Sequence, residues 1–319
     1  MPWPLGEDDR VTTAEEPRPL PDTHAEEPAA DHDGREPERT ARPGSALPST
    51  RELLVLAERL AREAGALVRD GRPTRVDVAS TKTSPIDVVT EMDLRSEALL
   101  RSVLAAERPD DAVLGEEEGH VSGPSGLTWV IDPIDGTVNY LYGIPAYAVS
   151  VAVVSGPPDP ARWTVEAGCV HGVSDGRTWT AGRGLGAFLD GDPIRVNGAQ
   201  PLSRSLVGTG FGYVAERRRA QARVLATLLP QVRDIRRIGS AALDLCAVAG
   251  GALDAYYERG LKPWDLAAAW LVAAEAGARV TGLRGARPGE AMTVAGPAAT
   301  VEALVEILEG LDADTDRVD

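Results

Sequence analysis

Residues 129–137 read Trp-Val-Ile-Asp-Pro-Ile-Asp-Gly-Thr, and this short segment limits both the fold and the chemistry open to the chain. Its apolar start predicts a strand that ends at Asp132, because Pro133 has no N–H to donate to a sheet ladder. Asp132 and Asp135 would project from the end of that strand, where two close carboxylates repel each other unless a cation lies between them. Carboxylate oxygens suit Mg²⁺, and backbone amides at the helix start predicted after Asp135 favour a phosphate. The segment therefore predicts metal ligands beside a phosphate site.

Three further segments place carboxylates where they could join this site. A glutamate triplet at 116–118 follows a strand-like run, and Glu116 could lie beside the two aspartates, although such a triplet alone is ordinarily a solvated loop. Asp93 stands at the start of a predicted helix, where it could cap the helix or face the site. Asp265 leads into an alanine-rich helix predicted over Ala267–Ala276, and the same two roles are open to it.

The chain changes character along its length. Residues 1–49 are acidic, rich in proline and poor in aliphatic residues, so they are predicted to form a disordered tail. Strands mixed with helices predict an N-terminal α+β domain over 50–200 that carries the metal site. A strand–helix alternation predicts a C-terminal α/β domain over 201–311. Residues 312–319 are predicted to be a short polar tail.

Apolar spacing predicts the main helices and strands. The first helix would follow Ser49 or Thr50, either of which could cap it. Further predicted helices are Asp93–Ala106, Glu216–Leu228, Ala241–Ala249 and Val301–Leu308. Further predicted strands are Ala112–Leu114, Tyr147–Val154, Trp163–Val170, Thr178–Ala181, Ser205–Thr209 and Arg279–Thr281.

Charge and cysteine content narrow the function classes. A chain with a net charge of −16 has no general attraction for nucleic acid or for anionic membranes. Cys169 and Cys246 are too few for a disulfide framework and fall in apolar runs, so they are predicted to be core residues in a reducing cytoplasm. No apolar run approaches the ~20 residues that span a bilayer, and the first residues lack the features of a signal peptide. His120 and His171 lie near turns and are predicted to be at the surface.

The four segments, in this order, resemble the inositol monophosphatase family. The family's strand ending in Asp-Pro-Ile-Asp-Gly-Thr is matched by Asp132–Thr137, and its Trp-Asp before an alanine-rich helix is matched by Trp264-Asp265. The similarity covers residues 51–311. Further matching stretches are Gly115-Glu116, Ser84–Asp93, Arg237–Ala241 and Tyr256–Glu258.

The resemblance implies a layered αβαβα sandwich, a homodimer and a Mg²⁺-dependent phosphatase. The implied ligands of a first Mg²⁺ are Glu116, Asp132 and the carbonyl oxygen of Ile134, and those of a second are Asp132, Asp135 and Asp265. The implied catalytic residues are Asp93 and Thr137, which orient and activate the attacking water, together with Glu116 through a looser third metal. The residues implied to bind phosphate or line a polyol pocket are Asp135, Gly136, Thr137, Gly239, Ser240, Ala241, Glu258 and Asp265. Lys82 and Asp87 are implied to lie near the metals.

The expected reaction is hydrolysis of inositol monophosphate by metal-activated water. No cysteine- or serine-centred nucleophile motif is evident, which predicts direct attack by water without a phosphoenzyme. Histidinol phosphate and other sugar phosphates stay open as substrates, and a non-catalytic binding scaffold of the same fold stays open as a role. A carboxylate at Glu258 can accept hydrogen bonds from the vicinal hydroxyls of a polyol. The run Ser84–Thr90 and Glu258 resemble the inositol branch of the family more than its other branches. The intact set of acidic ligands favours an enzyme over a degenerate scaffold.

Overall fold

The computed structural model describes residues 48–316 of the chain. Nearly all of the predicted acidic tail, and residues 317–319 of the predicted polar tail, lie outside this part. The helices are α1 (Thr50–Asp70), α2 (Glu91–Glu107), α3 (Thr137–Tyr142), α4 (Ala215–Leu228), α5 (Ala241–Ala249), α6 (Pro263–Glu275) and α7 (Ala298–Gly310). The strands are β1 (Val78–Thr81), β2 (Val88–Thr90), β3 (Ala112–Gly115), β4 (Gly119–Val121), β5 (Leu127–Asp135), β6 (Ala148–Ser155), β7 (Thr164–Gly172), β8 (Thr178–Gly182), β9 (Gly186–Leu189), β10 (Asp192–Pro193), β11 (Leu206–Thr209), β12 (Asp234–Arg236), β13 (Ala255–Glu258), β14 (Arg279–Thr281) and β15 (Thr293–Gly296).

The larger sheet brings the carboxylates of two strands together. Its strands run in the order β10-β9-β8-β7-β6-β5-β3-β4, and β3 and β5 are parallel neighbours. Gly115 of β3 pairs with Ile131 of β5. Glu116 follows Gly115 and Asp132 follows Ile131, so the parallel register of the two strands carries both residues to the same edge of the sheet.

The smaller sheet has the order β12-β11-β13-β15-β14. Strand β11 is parallel to both of its neighbours, whereas β15 is antiparallel to β13 and β14. A separate antiparallel hairpin of β1 and β2 precedes α2.

Alternating residues of the strands pack against helices on opposite faces. Trp129 and Ile131 of β5 share one core cluster with α1 and α2, whereas Val130 shares another with α5 and α6. A third cluster joins α4 and α7 to the smaller sheet through residues such as Val207 and Leu304. The layers are therefore α1/α2, larger sheet, α5/α6, smaller sheet and α4/α7, which confirms the predicted αβαβα sandwich.

Most of the predicted helices and strands are present, with boundaries shifted by a few residues. Of the two predicted caps of α1, Ser49 is the one observed. Its side chain accepts from Glu52 N, and the Glu52 carboxylate accepts from Ser49 N. Helix α6 begins earlier than predicted, because Pro263 is tolerated in a first helical turn, where its missing N–H would lack an intrahelical partner. Asp265 therefore lies inside the first turn of α6.

Strand β5 does not end at Asp132, as the sequence predicted. Its pairing with β6 continues from Asp132 opposite Ser150 to Asp135 opposite Ala148, with an irregular register between the two aspartates. An irregularity of this kind takes up Pro133, which cannot donate to the ladder, and lets pairing resume beyond it.

His171 corrects a second prediction, since only 5% of its surface is exposed. It lies in β7 under α1, with Nδ1 2.8 Å from Thr178 Oγ1, and a side chain at Gly65 would collide with its ring. Both cysteines are fully buried free thiols, so their predicted core positions are confirmed.

Residues 312–316, at the start of the predicted polar tail, are held by the fold. Ala313 is buried, Asp312 forms an ion pair with Arg284, and Asp316 forms one with Arg259. The described residues belong to one compact unit. Division into two domains at residue 200 stays a prediction. None of the helices between residues 48 and 316 has the length and apolar character that crossing a membrane requires.

Candidate functional site

Three aspartates meet where β5 ends and α6 begins. Asp132, Asp135 and Asp265 each offer a carboxylate oxygen within 4.8 Å of the others. Asp132 is fully buried, and its Oδ2 has no hydrogen-bond partner in residues 48–316. A buried carboxylate oxygen without a partner costs free energy unless a cation or another donor satisfies it. The donor set is made of hard oxygen atoms, so the residues fit Mg²⁺.

Neighbouring backbone and hydroxyl groups hold the other two aspartates. Asp135 Oδ2 accepts from Ser240 Oγ at 2.5 Å and from Ala242 N at 2.7 Å, both at the start of α5. Asp265 Oδ2 accepts from Lys262 N at 2.7 Å, which closes the first turn of α6. Asp265 therefore combines the two roles that the sequence left open, since it caps a helix and faces the carboxylates.

Burial and mutual repulsion disfavour full ionisation of this cluster without a cation. Burial is the largest cause that raises the pKa of Asp132, followed by the charges of Glu116, Asp135 and Asp265. Burial and then Asp135 raise the pKa of Asp265 in the same way. Carboxylates of this kind bind either protons or metal, so metal affinity should increase as pH rises.

Glu116 lies beside Asp132, as predicted, but it is paired with a lysine. Its Oε1 is 2.7 Å from Lys82 Nζ, and the same ammonium is 2.8 Å from Glu117 Oε1. Although burial opposes the shift, these carboxylates raise the pKa of Lys82. Glu116 is not part of the cluster in which carboxylate oxygens of Asp132, Asp135 and Asp265 lie within 4.8 Å of one another. Glu116 is thus placed at the edge of the cluster, with Lys82 as its counter-ion.

Asp87 holds the loop that carries Lys82. Its Oδ2 accepts from Thr83 N at 3.1 Å and from Thr83 Oγ1 at 2.6 Å. Its carbonyl oxygen accepts from Lys82 N at 2.9 Å. Asp87 thus fixes the turn between β1 and β2 from which Lys82 reaches Glu116.

Asp93 and Thr137 form the predicted pair beside the cluster. Thr137 Oγ1 lies 3.1 Å from Asp93 Oδ1 and 3.0 Å from the carbonyl oxygen of Ile134. Asp93 Oδ2 accepts from Thr90 N at 2.8 Å and from Thr90 Oγ1 at 2.5 Å, so Asp93 also caps α2. Burial raises the pKa of Asp93 to about 6, against the opposing effect of Thr90. A carboxylate with this pKa can accept a proton near neutral pH.

Gly136 and Gly239 pack closely between the cluster and the start of α5. Gly136 has φ +96°, and a Cβ there would lie 2.9 Å from the Ala146 carbonyl oxygen and 3.1 Å from that of Gly239. Gly239 has φ +95°, and a Cβ there would lie 2.5 Å from Arg237 Nη1. Only glycine fits both positions without strain. Ser240 and Ala241, which follow at the start of α5, lie against Asp135.

Glu258 lies at the end of β13, within the field of Asp135. Its Oε2 accepts from Tyr256 Oη at 2.5 Å, and a side chain at Gly210 would collide with its carboxylate. Burial raises the pKa of Glu258 to about 7, although the hydrogen bond from Tyr256 acts to lower it. Glu258 and the start of α5 thus both lie near Asp135.

Two residues near the site had no predicted role. Burial raises the pKa of Asp135 and of Glu258, and the positive charge of Arg237 opposes this rise at both. Burial raises the pKa of Tyr213 to about 12, and the charges acting on its phenol include those of Arg237 and Asp265. Arg237 is within a stretch that matches the family, which was the available signal, whereas the sequence around Tyr213 carries none.

The buried acids predict that the metal-free protein loses stability as pH rises. When folding raises the pKa of a carboxyl group, the group contributes its full stabilisation at pH values below its unfolded pKa, near 4. This contribution is lost as the pH rises through the folded pKa. The values of about 6 for Asp93 and about 7 for Glu258 place much of the decline below neutral pH. We expect thermal unfolding with a chelator to occur roughly 5 °C lower at about pH 8 than at about pH 5.

Mg²⁺ should reverse this trend, because it binds the ionised carboxylates. Its stabilising effect should be larger at the higher pH and should shrink in Asp132→Asn. Equal stabilisation by Mg²⁺ at both pH values would contradict the assignment of the acidic cluster as the metal site.

Comparison with known proteins places this geometry in a family. The model of the inositol monophosphatase family matches residues 49–312. A Mycobacterium tuberculosis protein named inositol-1-monophosphatase SuhB is 48% identical over 249 residues, which cover 72% of this chain and 83% of that protein. A Vibrio cholerae protein named Nus factor SuhB is 36% identical over 235 residues, which cover 73% of this chain and 86% of that protein.

A solved structure gives the same answer for the fold. Mycobacterium tuberculosis SuhB superposes with a TM-score of 0.70 and 44% sequence identity, covering 84% of this chain and 99% of that one. The matched region of the family model includes every site residue from Lys82 to Asp265. With its fold, its carboxylate site and these relatives in agreement, the chain belongs to the inositol monophosphatase family, a family of metal-dependent phosphatases.

Proposed function

We propose that this chain hydrolyses inositol monophosphates to inositol and inorganic phosphate, with Mg²⁺ as its cofactor. The observation that carries the proposal is the cluster of Asp132, Asp135 and Asp265 beside the hydrogen-bonded pair of Asp93 and Thr137. A phosphate monoester is dianionic near neutral pH, and carboxylates alone would repel it. Bound cations invert that local field, which is why the donor set supports a metal-dependent phosphatase.

The chain's own groups divide into metal ligands and groups that handle water. Asp132, Asp135, Asp265, Glu116 and the carbonyl oxygen of Ile134 would hold the ions. When bound, Mg²⁺ supplies positive charge that lowers the pKa of a water, clamps the phosphate oxygens and stabilises the leaving oxygen.

Asp93 is the proposed base for the attacking water. Thr90 fixes its Oδ2, which leaves Oδ1 for Thr137 and for a proton from water. The new P–O bond forms as the ester P–O bond breaks, and the leaving alkoxide takes up a proton to give the free alcohol. No covalent phosphoenzyme is needed.

The alcohol part of the substrate would lie on the side of Glu258. The Glu258 carboxylate and the start of α5, from Gly239 to Ala241, would accept and donate hydrogen bonds to ring hydroxyls. The amides of Gly136 and Thr137 would face the phosphate. The name inositol-1-monophosphatase of the Mycobacterium tuberculosis relative supports inositol monophosphate as the first substrate to test.

Two alternatives are kept. Histidinol phosphate or another sugar phosphate could use the same carboxylate site. A binding role is the second candidate, because the Vibrio cholerae relative is named Nus factor SuhB. The complete acidic set around Asp132 favours catalysis, since a binding scaffold has no need for a buried carboxylate oxygen without a partner, such as Asp132 Oδ2.

Phosphate release from a substrate panel tests the proposal. The full chain would be assayed with Mg²⁺ and with a chelator on inositol 1-phosphate, histidinol phosphate, fructose 1,6-bisphosphate and 3′-phosphoadenosine 5′-phosphate. We expect chelator-sensitive release with the highest kcat/KM for inositol 1-phosphate. A higher value for another compound would replace the substrate and keep the chemistry, whereas metal binding without release would favour the binding role.

We also propose that the protein works as a homodimer in the cytoplasm. The proposal rests on the usual assembly of the family and on the two free cysteines. Light scattering on the purified full chain would test the assembly, and a monomer mass at working concentration would contradict it.

A further inference from the structure

Glu97 is a buried carboxylate that lies outside the predicted site. It belongs to α2, one helical turn after Asp93, and none of its surface is exposed. Glutamate is almost never fully buried unless its charge is paired. Its partners therefore indicate what the buried charge does.

The partners of Glu97 lie in the turn that presents Glu116. Glu97 Oε2 accepts from Glu117 N at 2.8 Å, and Oε1 accepts from Glu118 N at 2.9 Å. The two hydrogen bonds attach consecutive backbone amides of the turn between β3 and β4 to one side chain. The two hydrogen bonds therefore hold the turn against α2.

Arg101 completes the attachment from the next turn of α2. Its Nε lies 2.8 Å from Glu97 Oε1, and its Nη2 donates to the Gly119 carbonyl oxygen at 2.6 Å. Glu97 and Arg101 thus hydrogen-bond to the backbone of the turn from Glu117 to Gly119. Gly115 is part of the same arrangement, because a side chain there would collide with the Glu97 carboxylate.

Both ends of this network reach the candidate metal site. Asp93 at the start of α2 faces Thr137, and Glu97 one turn later fixes the backbone that immediately follows Glu116. Lys82 contacts Glu116 and Glu117 from the other side. Helix α2 therefore contacts both Thr137 and the turn that presents Glu116.

We propose that Glu97 is a positioning residue that holds the turn at residues 116–118, directs Glu116 toward Asp132 and so sets the divalent-cation affinity of the site. The inference rests on the proposed function only in taking Glu116 as a metal ligand. Residues that orient metal ligands typically change affinity by about 10–100-fold when they are replaced. A residue that acts only on stability would leave the cation affinity of the folded protein unchanged.

Glu97→Gln tests this with a matched control. The amide keeps the size of the side chain, but its NH₂ group would face a backbone N–H of the turn, so one hydrogen bond is lost. Asp111→Asn is the control. Asp111 is also a buried carboxylate paired with an arginine, Arg108 at 2.7 Å, and it accepts from Trp129 Nε1 rather than from the turn.

The measurement is Mn²⁺ binding to the folded full-length variants, followed by the free-ion electron paramagnetic resonance signal, with Mg²⁺ as competitor. No substrate is present. We expect Glu97→Gln to weaken binding about tenfold or more, and Asp111→Asn to change it by less than about threefold, although both lower the unfolding temperature. Wild-type affinity in Glu97→Gln, or an equal loss in Asp111→Asn, would overturn the proposal.

A second variant keeps the test decisive if Glu97→Gln does not fold. Glu97→Asp retains the charge but is shorter by one methylene, so it retracts from the amides of Glu117 and Glu118. Weaker Mn²⁺ binding in this variant supports the proposal, and wild-type binding overturns it. If the wild-type chain binds Mn²⁺ but releases phosphate from none of the compounds, the proposed phosphatase function is contradicted. The proposed role of Glu97 in cation affinity would still stand.

Discussion

Asp132→Asn is expected to abolish phosphate release and, at the same time, to stabilise the metal-free protein. The amide removes a charge shared by both implied metal positions, and the stabilisation of transition-state charge that a metal provides is worth several kcal/mol. At about 1.4 kcal/mol for each tenfold change, kcat/KM should fall about a thousandfold or more. The opposite sign for stability follows from Asp132 Oδ2, which is buried and has no partner in residues 48–316.

The stability change can be measured by thermal unfolding with a chelator. A neutral amide relieves the repulsion from Glu116, Asp135 and Asp265 that raises the pKa of Asp132, and it can donate to one of them. We expect a gain of about 1–3 kcal/mol, the usual cost of an unsatisfied buried group. The control is Asp175→Asn in an exposed turn. Undiminished activity in Asp132→Asn, or a lower unfolding temperature, would contradict the assigned role.

Asp93→Asn should separate catalysis from metal binding. Loss of a general base costs about 10²–10⁴ in rate, and we expect kcat to fall within that range. Cation affinity should fall much less than kcat and much less than in Asp132→Asn, because Asp93 contacts Thr90 and Thr137 rather than the three clustered aspartates. An asparagine carbonyl can still accept from Thr90 N, so the start of α2 is kept.

The measurement pairs kcat for inositol 1-phosphate with the Mn²⁺ titration. Glu91→Gln serves as the control, since Glu91 is an exposed acidic residue in the same helical turn. A full loss of metal binding in Asp93→Asn would make Asp93 a ligand instead of a base. Wild-type kcat would remove it from the mechanism.

Local patterns in the sequence account for a large part of the fold. Helix α1 starts at Ser49 because the capping pattern with Glu52 is local, and helical spacing predicted α5 at its observed bounds, Ala241–Ala249. The layered arrangement came from the resemblance, because the order of strands in a sheet depends on long-range pairing that periodicity does not contain. Strand β5 passes Pro133 because pairing with β6 on the far side outweighs one missing donor.

The site was predictable as a set of ligands but not as a network. Motif order indicated that Glu116 and Asp132 lie together, and the parallel register of β3 and β5 is the reason. The hydrogen bond from Glu117 N in the turn at residues 116–118 to Glu97 joins residues 20 positions apart in the sequence. No local sequence pattern marks this contact. His171 looked like a turn residue because the sequence around it does not reveal that α1 covers that face of β7.

The hydrogen bonds of Asp135 have a consequence for how the protein is made. Asp135 is held by Ser240 and Ala242, more than a hundred residues later in the chain, and its neighbour Asp265 comes later still. A ribosome must therefore translate beyond α6 before the three aspartates can meet. A cation that needs all three carboxylates would therefore bind only late in synthesis, after most of the chain has been made.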